Sequence, residues 1–432
     1  MRQRKYLSTL LAAIIAALAL CACHEDTAPA PPDTTGGKMV LVYMVGENSL
    51  GAGGYLGKDS AEIMNGRTYV RPDDRMLFFV DGGGKPTLYR ARADRPTPET
   101  VAQWEQDFCS SDPDRLREVL ECAHRLWPGK ELSLVLWSHA DGWLPPTDTD
   151  YQRYAQMRQP IRPGISPSSF GIDSGADGYG SNQGAQMSVE GIASAISGAG
   201  LHCRFLFFDA CLMQNIEVAY ALRHVTDYVV ASPASTPGAG SNYTHTLQRG
   251  LFSDDLADIC RTYLSDAEDP AQADYQGMGL VISCMRTDKV QALADFLRQA
   301  LPLSAIANRQ SAEMDTVLAY QSYSRNYYYR PHNYDLLQAL RHILPAELHN
   351  DLRTLVTQAV TYRGASRRLW VGPGWNAYQS IPVASGDYCG VSLFVPQAVY
   401  TRNAALTPHG DLNEAFRQTE WYQAAGFEQT GW

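Results

Sequence analysis

Two apolar runs in this chain stop at residues able to do nucleophilic chemistry. In RFLFFDACLMQNIEVAYAL the run ends at Asp209-Ala210-Cys211, and Leu212, Ile216, Ala219 and Tyr220 follow at helical spacing. In ELSLVLWSHADGWLP a second run ends and leaves His139 ahead of a loop containing Gly and Pro. A cysteine needs a proton acceptor to become a thiolate, and a departing amine needs an acid. One imidazole serves both. The pattern puts Cys211 at the carboxyl edge of a parallel sheet, against the N-terminus of a helix expected to begin immediately, whose partial positive charge favours thiolate. A single crossover helix between the two strands would bring Cys211 and His139 side by side, although they are 72 positions apart.

The elements that must position this pair follow from hydrophobic patterning. Nearly continuous apolar runs at 39–45, 75–81, 131–137, 204–210, 228–232 and 279–284 read as strands covered on both faces, hence as a largely parallel sheet clothed by helices. Between the third and fourth runs, SVEGIASAISGAG places Val189, Ile192, Ala193 and Ile196 on one stripe, with Ser188 as N-cap. The segment from Asp141 to Gln186 has no period and is rich in Pro, Asp, Gly, Ser and Tyr, the pattern of a functional or mobile loop. Beyond residue 290 the sequence reads as helical to about Val360, then as short strand-like pieces around YQSIPV and YCGVSLFV, then as a terminal helix. The expected organisation is a catalytic unit over 38–289 with a C-terminal region, 290–432, packed on it.

Composition narrows the function. The 36 basic and 46 acidic residues give a net charge of −10, and no Lys/Arg run follows the N-terminus, so the electrostatic footprint of nucleic-acid binding is missing. No CxxC or HExxH pattern assigns a zinc ligand set, and Asp173 and Asp177 in GIDSGADGYG resemble a calcium loop only faintly. The N-terminus reads as an address: basic MRQRK, then the apolar LSTLLAAIIAALAL, too short for a good spanning helix. Leu20-Cys21-Ala22-Cys23 resembles a bacterial lipobox, so residues 1–22 are expected to be removed and Cys23 lipidated, with 23–37 (including TAPAPPDTTGG) as a flexible tether. The expected location is the bacterial cell envelope, at the outer membrane or cell surface. Seven cysteines remain, an odd number, so at least one thiol is free unless it pairs between molecules.

VLWSHADGW and FFDACLMQNIEVAY, together with VLVYMVGENSL and GVSLFVP and the order His before Cys, resemble the clostripain family, relatives of caspases, gingipains and legumain. The resemblance implies a caspase-like α/β sandwich with a mainly parallel central sheet and a C-terminal α/β extension. It further implies a cysteine endopeptidase acting on proteins or peptides through His139 and Cys211. Backbone N–H groups of Cys211, Ala140 and Asp141 are the expected oxyanion donors. The family usually has Gly after the His, and Ala140 fits there only at negative φ. Asp209, two residues before Cys211, matches an acid at the floor of a pocket for Arg or Lys, and the loop 232–243 holds no second acid to partner it. No cofactor is required by the motifs; calcium stays open because some relatives need it. Two other readings use the same residues: a catalytically silent surface lipoprotein binding peptides or glycans, and a transpeptidase in which an amine resolves the acyl-enzyme. The sequence carries no signal of oligomeric state. The lipobox predicts that a fatty-acid probe labels the wild-type protein in cells and not Cys23→Ala; equal labelling of both refutes the anchor.

Overall fold

In the strand Lys38–Val45 (β1) seven consecutive residues are buried because alternate side chains serve opposite faces. Met39, Leu41, Tyr43 and Val45 enter one apolar cluster, whereas Val40, Val42 and Met44 enter another. A strand sandwiched between two helical layers needs this composition. The computed structural model describes residues 32–144, 170–271, 279–308, 314–321, 331–370, 378–381, 388–402, 404 and 409–431.

Ten further strands are Arg75–Asp81 (β2), Thr87–Ala91 (β3), Glu99–Gln103 (β4), Glu131–Trp137 (β5), Phe170–Asp173 (β6), Ala185–Met187 (β7), Leu206–Asp209 (β8), Tyr228–Ala231 (β9), Val281–Arg286 (β10) and Tyr334–Asp335 (β11). Val360–Ala365 is β12. The nine-stranded sheet runs β12-β10-β9-β8-β5-β1-β2-β3-β4. Its centre, β9-β8-β5-β1-β2, is parallel, and the pairs outside it are antiparallel. Helices Pro113–Leu126, Val189–Gly198, Ile216–Leu222, Val290–Asn308 and Ala346–Ala359 cover one face. Tyr55–Gly66, Tyr243–Arg249 and Ala257–Glu268 cover the other. This is the mixed α/β architecture expected, with six strands close to their expected places and the Ser188 hydroxyl accepting from Gly191 N at 2.9 Å as N-cap.

Three features depart from the sequence pattern. The helix expected directly after Cys211 starts five residues later, at Ile216, because Leu212 sits at φ 64° and breaks any continuous helix. Strands β3, β4 and β12 carry half-exposed residues, so they lack the unbroken apolar runs that mark the central ones. The loop read from Asp141 to Gln186 contains β6 and β7, an antiparallel pair; its 145–169 portion, whose Arg153, Arg158 and Arg162 make cleavage of the loop by the enzyme itself an expectation of the sequence, lies outside the described residues. Cys23 lies outside them too.

Two extensions tie down the sheet. β12 is an edge strand of the main sheet, so the region beyond residue 290 completes it. At the other end, Asp33 N donates to Leu126 O at 2.9 Å, and Lys130, buried at its ammonium, donates to Thr35 O and Gly36 O at 2.8 Å each. The last residues of the stretch expected to be a flexible tether are thus fastened to the body. Among the described residues no helix is long and apolar enough to cross a membrane.

Candidate active site

Parallel pairing of β5 with β8 sets Trp137 opposite Asp209. Both strands stop there, and the same offset two residues on matches His139 with Cys211. On its other side β5 pairs with β1, so His139 leaves the sheet between the Cys211 turn and the turn that follows β1. Both expected residues are half-buried at this edge.

They share no hydrogen bond with each other. Cys211 Sγ instead accepts from Thr236 N at 3.3 Å and lies 3.6 Å from Thr236 Oγ1. Burial pushes the Cys211 thiol up from its ordinary value, the Thr236 contacts oppose that rise, and the charges of Asp141 and Asp209 add to it. The helix expected to begin at the sulfur starts only at Ile216, five residues on. His139 Nε2 lies 3.0 Å from Ser49 Oγ. Burial lowers the imidazole pKa, and the nearby Asp141 carboxylate only partly opposes the shift. The resting pair is therefore a neutral thiol and a neutral imidazole. All seven cysteines in the described region are free; Cys109 and Cys211 are half-buried and the other five buried.

The turn after Cys211 is built around strain. Leu212 is the only non-glycine residue at positive φ among the described residues, and its N–H donates to Ala234 O at 2.9 Å. Ala140, by contrast, does not have positive φ and pairs in an antiparallel bridge with Phe170, so the missing family glycine costs nothing here. Gly142, at φ +70°, packs so close that a Cβ there would meet Asn215 Oδ1 at 2.4 Å and Leu212 O at 2.7 Å. Its backbone thus packs directly against the Cys211 turn.

Asp209 is buried, and its oxygens accept from Ser241 N at 3.1 and 2.9 Å and from Tyr243 OH at 2.9 Å. Burial lifts its pKa to about 6 despite these bonds. Close by, Asp59 on helix Tyr55–Gly66 accepts from Trp137 Nε1 at 2.6 Å. Burial first, then the Asp209 charge, raises Asp59 to about 9, so it is a neutral carboxyl at pH 7. The two acids of GIDSGADGYG part company: Asp173 is fully buried with Glu47 and Asp81, whereas Asp177 is exposed.

Sequence reasoning missed Ser49, Thr236 and Asp59. Ser49 lies inside the VGENSL stretch and Thr236 inside the 232–243 loop, yet neither residue type carries a signal unless its partner is known.

Residues 42–159 and 170–382 match the clostripain family of peptidases. The chain belongs to that family. It is a cysteine endopeptidase by family and architecture. No curated protein matches it significantly. Among solved structures, a secreted C11 cysteine protease from Bacteroides thetaiotaomicron bound to an irreversible peptide inhibitor superposes at TM-score 0.70 with 24% identity, over 91% of this chain and 99% of that one. An inactive zymogen C11 protease from Parabacteroides distasonis gives 0.69 at 22% identity, over 92% of this chain and 99% of that one. The secreted Bacteroides thetaiotaomicron C11 protease "iotapain" gives 0.68 at 18%, over 92% and 100%. At these identities the likeness establishes a shared caspase-like fold.

A methyl at position 142 tests the clamp between the two loops. Gly142→Ala is expected to cost about 1–3 kcal/mol from its positive φ and close contacts, and to lower kcat/KM of this clostripain-family enzyme by at least about tenfold. Wild-type kcat/KM and chemical-denaturation midpoint in that variant refute the clamp.

Proposed function

We propose that the chain is an exported, lipid-anchored endopeptidase in which Cys211 is the nucleophile and His139 its proton-transfer partner. The observation that carries this reading is the β5–β8 register, Trp137 against Asp209, which leads both residues out at one sheet edge. Cys211 Sγ attacks the scissile carbonyl carbon while its thiol proton passes to His139. The tetrahedral oxyanion is met by backbone N–H groups of Cys211 and of the Ala140-Asp141 turn. Collapse breaks the C–N bond, His139 protonates the amine that leaves, and a thioester remains. Water then adds with His139 taking its proton, and the acyl group departs as the carboxylic acid while Sγ recovers the proton. The thiol and imidazole must approach from the Thr236 and Ser49 contacts they hold at rest, so substrate binding brings the dyad together.

Anchorage rests on Cys23 and on the export signal before it. Two of the similar structures are described as secreted, and one holds a peptide inhibitor, which supports both export and a peptide substrate.

A thiol-directed peptidyl inhibitor is expected to modify Cys211 alone, and Cys211→Ala or His139→Ala each to remove nearly all turnover. Full activity in either variant refutes the dyad. The same assay across pH carries a signed expectation. With the imidazole shifted below 6.5, it stays a competent base to lower pH, so the acid limb of kcat/KM falls below that value; with the thiol shifted above 9.0, the alkaline limb lies above it. An acid limb above 6.5 contradicts the desolvated neutral pair.

Specificity follows from Asp209, which we propose lies at the floor of the P1 pocket. Both its oxygens are already committed to Ser241 and Tyr243, and its neighbour Asp59 is uncharged. A P1 cation would meet a satisfied carboxylate, so basic P1 residues are favoured only modestly and small neutral ones are also cleaved. Matched peptides differing only at P1 test this: a preference for Arg over Ala beyond about a thousandfold, roughly 4 kcal/mol, overturns it.

A further inference from the structure

Along the carboxyl edge of the sheet the strands follow in the order β9-β8-β5-β1-β2. Cys211 lies beyond β8 and His139 beyond β5, and His139 Nε2 is 3.0 Å from Ser49 Oγ in the turn after β1. That order gives the site a direction. The 232–243 loop, whose Ser241 N and Tyr243 hydroxyl donate to Asp209, follows β9, on the side of Cys211 proposed above for P1. The departing amine receives its proton from His139, so the leaving half of the substrate passes over β5 and on towards β1.

What the leaving half meets there is an aromatic side chain. The connection from β6 to β7 folds over the β1 turn: Ser174 N donates to Glu47 O at 2.9 Å, and Ser49 N donates to Asn182 Oδ1 at 3.0 Å. Within that connection Tyr179 is 42% exposed; among the described residues, Tyr69 is the other large hydrophobic side chain open to solvent. The Tyr179 ring is nonetheless held. A Cβ on Gly51 would lie 3.2 Å from its hydroxyl, and one on Gly83, whose φ is +81°, would lie 3.3 to 3.5 Å from its ring carbons. Bare backbone at the ends of β1 and β2 therefore seats the ring while leaving part of it open. A tyrosine fixed in this way offers contact area at little further cost in conformational entropy.

We propose that Tyr179 is the platform of a leaving-side subsite that binds a large apolar or aromatic side chain two or three residues past the scissile bond. The reach fits. Neighbouring strands lie about 4.8 Å apart, so the turn after β1 is roughly 10 Å from the end of β8, the length of about three extended residues. The class of side chain follows from the surroundings. The ring supplies apolar area, and the same connection carries the exposed Asp177 and bonds the exposed Asp107, which accepts from Ala176 N at 3.3 Å, so an acidic substrate side chain is repelled. This inference rests on the dyad reading, since His139 sets the direction in which the leaving half runs.

The test uses the full mature enzyme and internally quenched peptides identical up to the first residue past the scissile bond, with Phe, Gly or Asp at the second and third, cleavage at the shared bond being confirmed by mass. Wild type is expected to cleave the Phe peptide with kcat/KM at least about fivefold above the Gly peptide, the scale of one aromatic contact, and the Asp peptide more slowly than Gly. The Phe/Gly ratio is expected to persist in Tyr179→Phe and in the control Tyr69→Ser, and to fall within about twofold of unity in Tyr179→Ser. A wild-type ratio below about twofold overturns the subsite, as does an undiminished ratio in Tyr179→Ser. Because the ratio is taken within one enzyme preparation, loss of folded protein cancels from it. Failure of the dyad reads out separately, as turnover that survives Cys211→Ala; an undiminished ratio in Tyr179→Ser with turnover abolished by Cys211→Ala overturns the subsite alone.

Discussion

The pairing of Trp137 with Asp209 in neighbouring parallel strands is the constraint from which the rest of the site descends. Parallel strands need a crossover, supplied here by the helix Val189–Gly198, and the crossover makes β5 and β8 end on the same edge. Because β1 flanks β5 on its other side, His139 is held between two turns instead of projecting freely. The whole edge depends on burial of β1, β5 and β8, whose side chains alternate between two apolar layers. A slip of one residue in β5 would send Leu134 and Leu136 to the opposite layer and carry His139 away from Cys211, so packing of the core and geometry of the site are one specification.

Desolvation sets the character of the pair. At a half-buried edge near Asp141 and Asp209, a thiolate is disfavoured by burial and by those charges. The same burial disfavours the imidazolium. Both shifts lower the population of the charged pair, so the ionic form arises only as the proton moves. Thr236 is the counterweight: its N–H faces Sγ at 3.3 Å and would stabilise charge developing there. The strained Leu212 belongs to the same device, since its turn sends the chain towards Ala234, in the loop that carries Thr236.

What the sequence revealed, and what it hid, follows from periodicity. The central strands were legible because burial on both faces demands unbroken apolar runs, and Cys211 and His139 were legible because those runs stop at them. The helix start was not legible: Leu212, Ile216, Ala219 and Tyr220 keep helical spacing, yet the backbone at Leu212 is left-handed, which spacing does not encode. Asp81 read as the end of a strand and Glu47 carried no signal of its own, because a carboxylate cluster assembled from residues 47, 81 and 173 has no linear signature. Asp209 was read as a pocket acid, and its bonds to Ser241 and Tyr243 became visible only when the 232–243 loop folded over it.

The C-terminal region earns its place by closing this edge from behind. Ser392 N donates to Gln214 O at 2.9 Å, Asn215 Nδ2 to Ser392 Oγ at 2.5 Å and Phe394 N to Glu217 Oε1 at 2.9 Å, so GVSLFVP is stitched to the turn and helix that follow Cys211. Phe394 also meets Trp143 edge-on at 4.8 Å, and Trp143 sits on the His139 loop next to Gly142. One short segment therefore touches both loops, by hydrogen bonds to one and an aromatic contact to the other. Residues 138–144 and 211–215 belong to no helix or strand, and each stretch buries polar backbone that must find partners. A chain cut near residue 290 would strip the sheet of β12 and both loops of their shared support, which is why the region beyond the sixth apolar run belongs to the catalytic fold and is more than an appendage to it.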